Sequence, residues 1–155
     1  MSRTRKILIG ILVVFVIIQF FKPVKNISAA ETPNDIFVHY PANDTLKQLI
    51  KTSCYDCHSN NTRYPWYSNI QPVAWFLNSH VEEGKSKINF AEFASYAPKK
   101  ANHKLEELID EVKAGDMPLK SYTLIHQDAN LNPDQRKAII QWVEVVKKDI
   151  RVTIQ

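Results

Sequence analysis

The reactive residues of this 155-residue chain gather in one pentad, Cys54-Tyr55-Asp56-Cys57-His58. Its two cysteines are the only ones present, and they stand three positions apart. On a helix, residues three and four apart share a face, so both thiols project to one side. From there they can add to the two vinyl groups of a haem. His58, next in the chain, can bring an imidazole nitrogen to the iron. The spacing predicts one covalently bound haem c, held by Cys54 and Cys57, with His58 as the proximal iron ligand. Two other chemistries use a CxxC pair, a redox disulfide and half of a zinc site. The first is expected beside a βαβ pattern, which this sequence lacks. The second needs more ligands, which His80 or His103 would have to supply without a second CxxC or an HxxxH pair.

A haem iron that carries electrons takes a second axial ligand, and a Met/His pair raises its potential. Apart from Met1 the chain has one methionine, Met117, within Gly115-Asp116-Met117-Pro118. Glycine and proline make this a non-helical loop that can present a thioether to the far face of a haem. Met117 is the expected distal ligand. His80, His103 and His126 are the alternatives, His126 first among them. Tyr122 and His126, four apart, would share a helical face and could serve a haem propionate. Arg63, Tyr64, Trp66, Tyr67 and Trp75 follow the pentad closely, either as walls of a haem site or as plain core.

The elements that must position these groups read as helices. A helix capped by Asp44 is expected through about residue 57, with Leu46, Leu49 and Ile50 on one face. Residues 59–66 form a polar and proline loop. A second helix is expected over 71–83, ending before Gly84. Asn89 caps a short turn holding Phe90 and Phe93. A third helix fits 99–114 and closes at Gly115. The last begins with Asn132 as cap and Pro133 at its first position, and runs through Ile139, Trp142, Val143 and Val146. Val152 and Ile154 suggest an extended tail. No run of alternating strands is visible, so the fold class is all-α.

Ahead of this body, Arg3, Arg5 and Lys6 precede an apolar run from Ile7 to Phe21. As a helix that run would cover roughly 22 Å, against a bilayer core of about 30 Å. It is read as a single-pass anchor through residues 1–25, with Lys22 and Lys25 snorkelling. The alternative is a signal peptide cleaved at Ser28-Ala29-Ala30. Either reading places the body outside the cytoplasm, on the periplasmic side of an inner membrane if anchored. Residues 26–43 are expected as a linker, and 44–150 as the haem domain. Net charge is +4, but five of the twenty basic residues and none of the sixteen acidic ones lie in residues 1–25. The body is nearly neutral and carries no nucleic-acid motif, so no nucleic-acid partner is expected.

The stretch Cys-Tyr-Asp-Cys-His-Ser-Asn-Asn-Thr-Arg-Tyr-Pro-Trp-Tyr (54–67), with Asn89-Phe90 and Met117-Pro118 followed by Tyr122 and His126, resembles the small bacterial haem-binding domain family over residues 35–150. The resemblance implies a cytochrome c-like helical domain around one haem, bound through Cys54 and Cys57. It also implies His58 as proximal ligand and, by analogy with class I cytochromes c, Met117 as distal ligand. Two departures stand out. No glycine marks a crossing of first and last helices, and Leu119 replaces a second proline after Met-Pro. The function expected is one-electron transfer to redox partner proteins of an exported chain, without catalysis. The alternative is a haem-based sensor or enzyme with an open distal site.

Overall fold

The computed structural model describes residues 1–28 and 32–153. Its α-helices are α1 (Arg3–Ile18), α2 (Ile36–His39), α3 (Asp44–Ser53), α4 (Tyr55–His58), α5 (Val73–Lys87), α6 (Pro98–Ala114), α7 (Lys120–Thr123) and α8 (Pro133–Thr153). No strand occurs among the described residues, so the domain is all-α as expected. Local chemistry sets the helix ends. The Asn132 side chain accepts from Gln135 N–H at 2.9 Å while Gln135 Oε1 accepts from Asn132 N–H at 2.9 Å, a reciprocal cap that starts α8. Gly115, at φ +84°, ends α6 in a conformation that suits glycine alone.

Helices α6 and α8 pack along each other, and α8 also meets α3. Ile50, Leu105, Ile139, Val143 and Val146 fill the space between them, joined by Phe90 and Phe93 from the turn at 90–95. Asn89 caps that turn by accepting from Ala91 N–H at 3.1 Å. Leu46, Leu49 and Trp142 lie against this core, on the faces their spacing assigned.

Several boundaries differ from expectation, each for a local reason. Asn43, and not Asp44, caps α3, accepting from Leu46 N–H at 2.9 Å. The expected helix through 57 breaks at Cys54 (φ −127°, ψ −38°), which leaves the haem motif on its own one-turn helix α4. The second helix does not stop before Gly84 but continues to Lys87, and Gly84 serves instead as the point where α5 crosses close to α4. Val152 is helical instead of extended, and Ile154 lies outside the described residues. The expected linker contains α2, whose Ile36 is completely buried. The apolar run Ile36-Phe37-Val38 is too short, between Pro33 and Pro41, to show a helical period.

The N-terminal run is helical only to Ile18, and no helix among the described residues is long and apolar enough to cross a membrane. The helix stops because Gln19 turns to the body. Its Oε1 accepts from Gln71 N–H at 2.9 Å and its Nε2 donates to Gln71 O at 3.3 Å. Phe21 O then accepts from the buried Gln71 Nε2 and from Trp75 Nε1, at 2.9 and 2.8 Å. Asn26 completes this strap. Its N–H donates to Tyr64 Oη at 2.8 Å, its Nδ2 to Ser59 O and Thr62 Oγ1 at 2.9 Å each, and its Oδ1 accepts from Lys85 Nζ at 2.7 Å. Residues 19–27 are therefore part of the domain and brace the loop that follows the haem motif.

Asn26→Ala should cost about 1–3 kcal/mol, because it strands Ser59 O and the half-buried Lys85 ammonium. Urea denaturation measures this; an unchanged midpoint would show that the strap carries no stability.

Candidate haem-attachment site

The pentad is organised around one backbone carbonyl. Cys54 O accepts from Cys57 N–H at 3.2 Å and from His58 N–H at 3.0 Å, which closes a helical turn. Cys54 and Cys57 carry free thiols on this turn, and Cys54 rests against the hydrophobic core. Burial, reinforced by the neighbouring thiol, pushes Cys54 up to about 12; burial and the Asp56 charge push Cys57 up to about 11. Both are protonated near neutrality. Thiols that work by disulfide exchange show the opposite shift, so the redox reading of the pair is disfavoured. Addition across a vinyl group requires both cysteines as free thiols, as they stand here.

Backbone carbonyls orient His58. Its Nδ1 lies 2.9 Å from Gly84 O and 3.1 Å from Ile88 O, the carbonyls at the end of α5. Two carbonyl acceptors require the proton on Nδ1, which leaves Nε2 with its lone pair free for a metal. Burial lowers the pKa of His58 and keeps the ring neutral, the form that ligates. Phe90 stands edge-on to the ring with centroids 6.2 Å apart. This geometry depends on Gly84. A Cβ there would sit 2.6 Å from Cys57 O and 3.1 Å from Cys57 Cβ.

Asp56, the residue between the cysteines, anchors a second network. Its buried carboxylate accepts from Arg63 N–H (3.1 Å), Nε (3.3 Å) and a terminal guanidinium nitrogen (3.3 Å), and from Tyr122 O–H at 2.7 Å. The Asp56 carboxylate raises the Arg63 pKa, and burial together with the same carboxylate raises that of Tyr122. Tyr122 stacks on His126 at 4.4 Å, and His126 Nε2 lies 2.9 Å from Tyr67 Oη. A cleft of about 30 Å³ opens beside Cys57, lined by Leu77, Val81, Tyr67, Tyr122 and His126 among others.

The donor set fits haem c: two protonated thiols on one turn and a neutral imidazole whose other nitrogen is tied. The cleft is far smaller than a porphyrin, and neither Cys54 nor His58 lines it. Met117 sits half-buried in the expected non-helical loop, with its N–H donating to Glu111 O at 3.3 Å. It is not among the residues lining the Cys57 cleft, whereas His126 is. His80 and His103, the other candidate ligands, do not line the cleft either. His80 Nδ1 meets Phe76 O at 2.9 Å, and His103 pairs with Glu107 at 3.6 Å. Of the expected wall aromatics, Tyr64 and Tyr67 line the cleft, while Trp75 binds the N-terminal strap and Trp66 is exposed. Gly84 and Asp56 were passed over in sequence, one as a helix end and the other as a spacer in CxxCH. Only a close approach between helices and a buried carboxylate reveal them.

With open space at Gly84, an alanine would stabilise α5 by about 1 kcal/mol. The contact with Cys57 O reverses the sign, and Gly84→Ala should destabilise the protein by about 1–3 kcal/mol. A rise in urea midpoint would disprove the close approach.

Comparison with known proteins gives one match. The model of the haem-binding domain family matches residues 13–145, which take in the end of α1, the strap, the pentad and most of α8. No curated protein and no solved structure matches the chain. The match spans most of the sequence and contains the turn whose donor set suits haem: this chain belongs to the haem-binding domain family.

Proposed function

We propose that this haem-binding protein is a single-haem, c-type electron carrier that works outside the cytoplasm. The observation that carries this reading is His58: two carbonyls hold its Nδ1 and free its Nε2, on the same turn as two protonated thiols. The Cys54 and Cys57 thiols add across two vinyl groups. Each S–H bond is replaced by S–C and C–H bonds, so attachment consumes no oxidant. His58 would hold the iron through its free Nε2, and Met117, the one methionine in a loop, would supply the second ligand. Haem iron with both axial positions filled supplies one-electron exchange and leaves no site for oxygen or peroxide. The residues around it orient the imidazole and exclude water.

One observation favours a second reading, a haem-based sensor or enzyme with an open distal site. The Cys57 cleft is lined by the polar Tyr67, Tyr122 and His126, and not by Met117. Carbon monoxide separates the two: the carrier binds it slowly or not at all when reduced, the sensor rapidly.

The N-terminal segment acts through α1 as a retained anchor that holds the haem domain on the periplasmic side, close to membrane-bound redox partners. Support comes from the basic residues before the apolar run and from the exposed apolar side chains of α1. The strap adds support, since cleavage after Ala30 would remove Asn26 and Phe21 from the domain. Ala29 and Ala30 themselves lie outside the described residues. The intact mass of protein from a host competent in cytochrome c maturation should include residues 1–28; a mass starting at Glu31 would refute retention.

The same preparation should give a haemochrome spectrum with one haem per chain and a low-spin visible spectrum. Each of Cys54→Ser and Cys57→Ser should leave a single thioether with a shifted haemochrome band, and the double variant should lose covalent pigment. Colourless wild-type protein, or pigment extracted by acidified organic solvent, would refute covalent attachment.

A further inference from the structure

The end of α1 is tied to the body without a linker. Gln19 and Gln71 share two amide hydrogen bonds, and Gln71 is completely buried. α1 itself buries no residue, and it carries no polar side chain from Ile7 to Ile18. A helix that is apolar all round takes an apolar surrounding. The residues that flank the tie are apolar and exposed as well. Phe20 and Phe21 stand 82% and 64% exposed; Ile70, Val73, Trp75 and Phe76 range from 38% to 52%. Trp75 is joined to this end of α1, since its Nε1 donates to Phe21 O at 2.8 Å. Six large apolar side chains gathered at one tie form a patch of the kind that marks a contact surface. Charge points the same way. Neither residues 1–28 nor residues 57–81 contain Asp or Glu, whereas Lys22 and Lys25 lie in the strap. A recess of about 60 Å³ beside the strap is lined by both lysines, Tyr64, Ser68, Asn69 and Asn78 among others, a set of donors without an acid.

We propose that the face of the haem domain around Gln71 rests on an anionic lipid bilayer, with Ile70, Val73, Trp75 and Phe76 at headgroup depth and Lys22 and Lys25 on lipid phosphates. This inference rests on the retained anchor, and it gives the domain itself a lipid-contacting face. The bilayer is the occupant because the patch continues the apolar surface of α1 and because the surrounding charge is basic only. Length adds a further argument. From Ile7 to Ile18, α1 covers roughly 18 Å, against a bilayer core of about 30 Å. An inserted helix that short draws its fixed end in towards the headgroups, and the face around Gln71 comes with it. Trp beside lysines suits that depth, with rings in the interface and ammonium groups in water.

Photo-crosslinking of the full chain in lipid nanodiscs tests this face. The discs hold phosphatidylcholine and phosphatidylglycerol, the latter carrying a diazirine next to its acyl carbonyl. Adducts mapped by mass spectrometry should fall both on α1 and on the tryptic peptide 64–85, which contains Ile70, Val73, Trp75 and Phe76. Adducts on α1 alone would overturn the lipid face and leave the anchor intact. A chain that does not enter the discs, or that carries adducts on neither segment, would overturn both. The double variant Lys22→Gln/Lys25→Gln should lower the yield on 64–85 relative to α1 by at least about fivefold, the contribution of one lysine at an anionic surface. An unchanged ratio would overturn the contact between these lysines and lipid phosphate.

Discussion

A short contact between two helices governs the site. The turn α4 lies against α5 so closely that Gly84 has room for a hydrogen and nothing more. That approach brings the end of α5, with its Gly84 and Ile88 carbonyls, within reach of His58 Nδ1. Ile88 O lies just beyond the last helical residue, and Gly84 O also accepts from Ile88 N–H, so these carbonyls serve the imidazole and the helix end together. The tautomer of His58, the direction of its free nitrogen and the neutral state of the ring all follow from this one approach. Without it the two thiols would remain on a turn, but the imidazole beside them would have no fixed aim.

Polar bonds dominate the rest of the site, and they tie together parts of the chain that are distant in sequence. Asp56 joins the motif to Arg63 and Tyr122, while Asn26 joins the N-terminal strap to the loop at 59–64 and to α5. A buried carboxylate is costly unless its oxygens are satisfied, and here a guanidinium, a backbone N–H and a phenol satisfy them. The hydrophobic core between α3, α6 and α8 supplies the frame, with Phe90 reaching from it to the His58 ring. The domain thus combines an apolar frame on one side with a hydrogen-bonded cage around the attachment turn on the other. The His58 imidazole is thereby held from both sides, by Phe90 of the frame and by the carbonyls of α5.

The N-terminal segment belongs to this cage. Family membership begins at residue 13, inside α1, and the strap at 19–27 bonds to Gln71, Trp75, Tyr64 and Lys85. Whatever surface α1 meets, its end is fixed to the body by the paired amides of Gln19 and Gln71. The orientation of the haem domain relative to that helix is therefore built into the hydrogen bonds of the strap.

By itself the sequence determined the haem-binding family, the all-helical class and the helices with clean signals. CxxCH needs only local spacing, and α6 and α8 have amphipathic periods with Gly115 and Asn132-Pro133 at their ends. Those signals are properties of a few neighbouring residues, so they survive without knowledge of the fold. Tertiary structure alone decided what depended on distant partners. Gly84 looks like a helix terminator until Cys57 is placed beside it. Ile36 and Asn26 look like linker until the core and the loop at 59–64 surround them. The break at Cys54 separates α3 from α4 although the sequence there reads as continuous helix. Met117 was legible as the one loop methionine, but that its loop lies away from the cleft beside Cys57 is set by the tertiary fold. Contacts of that kind join residues far apart in the chain, and no local period or spacing encodes them.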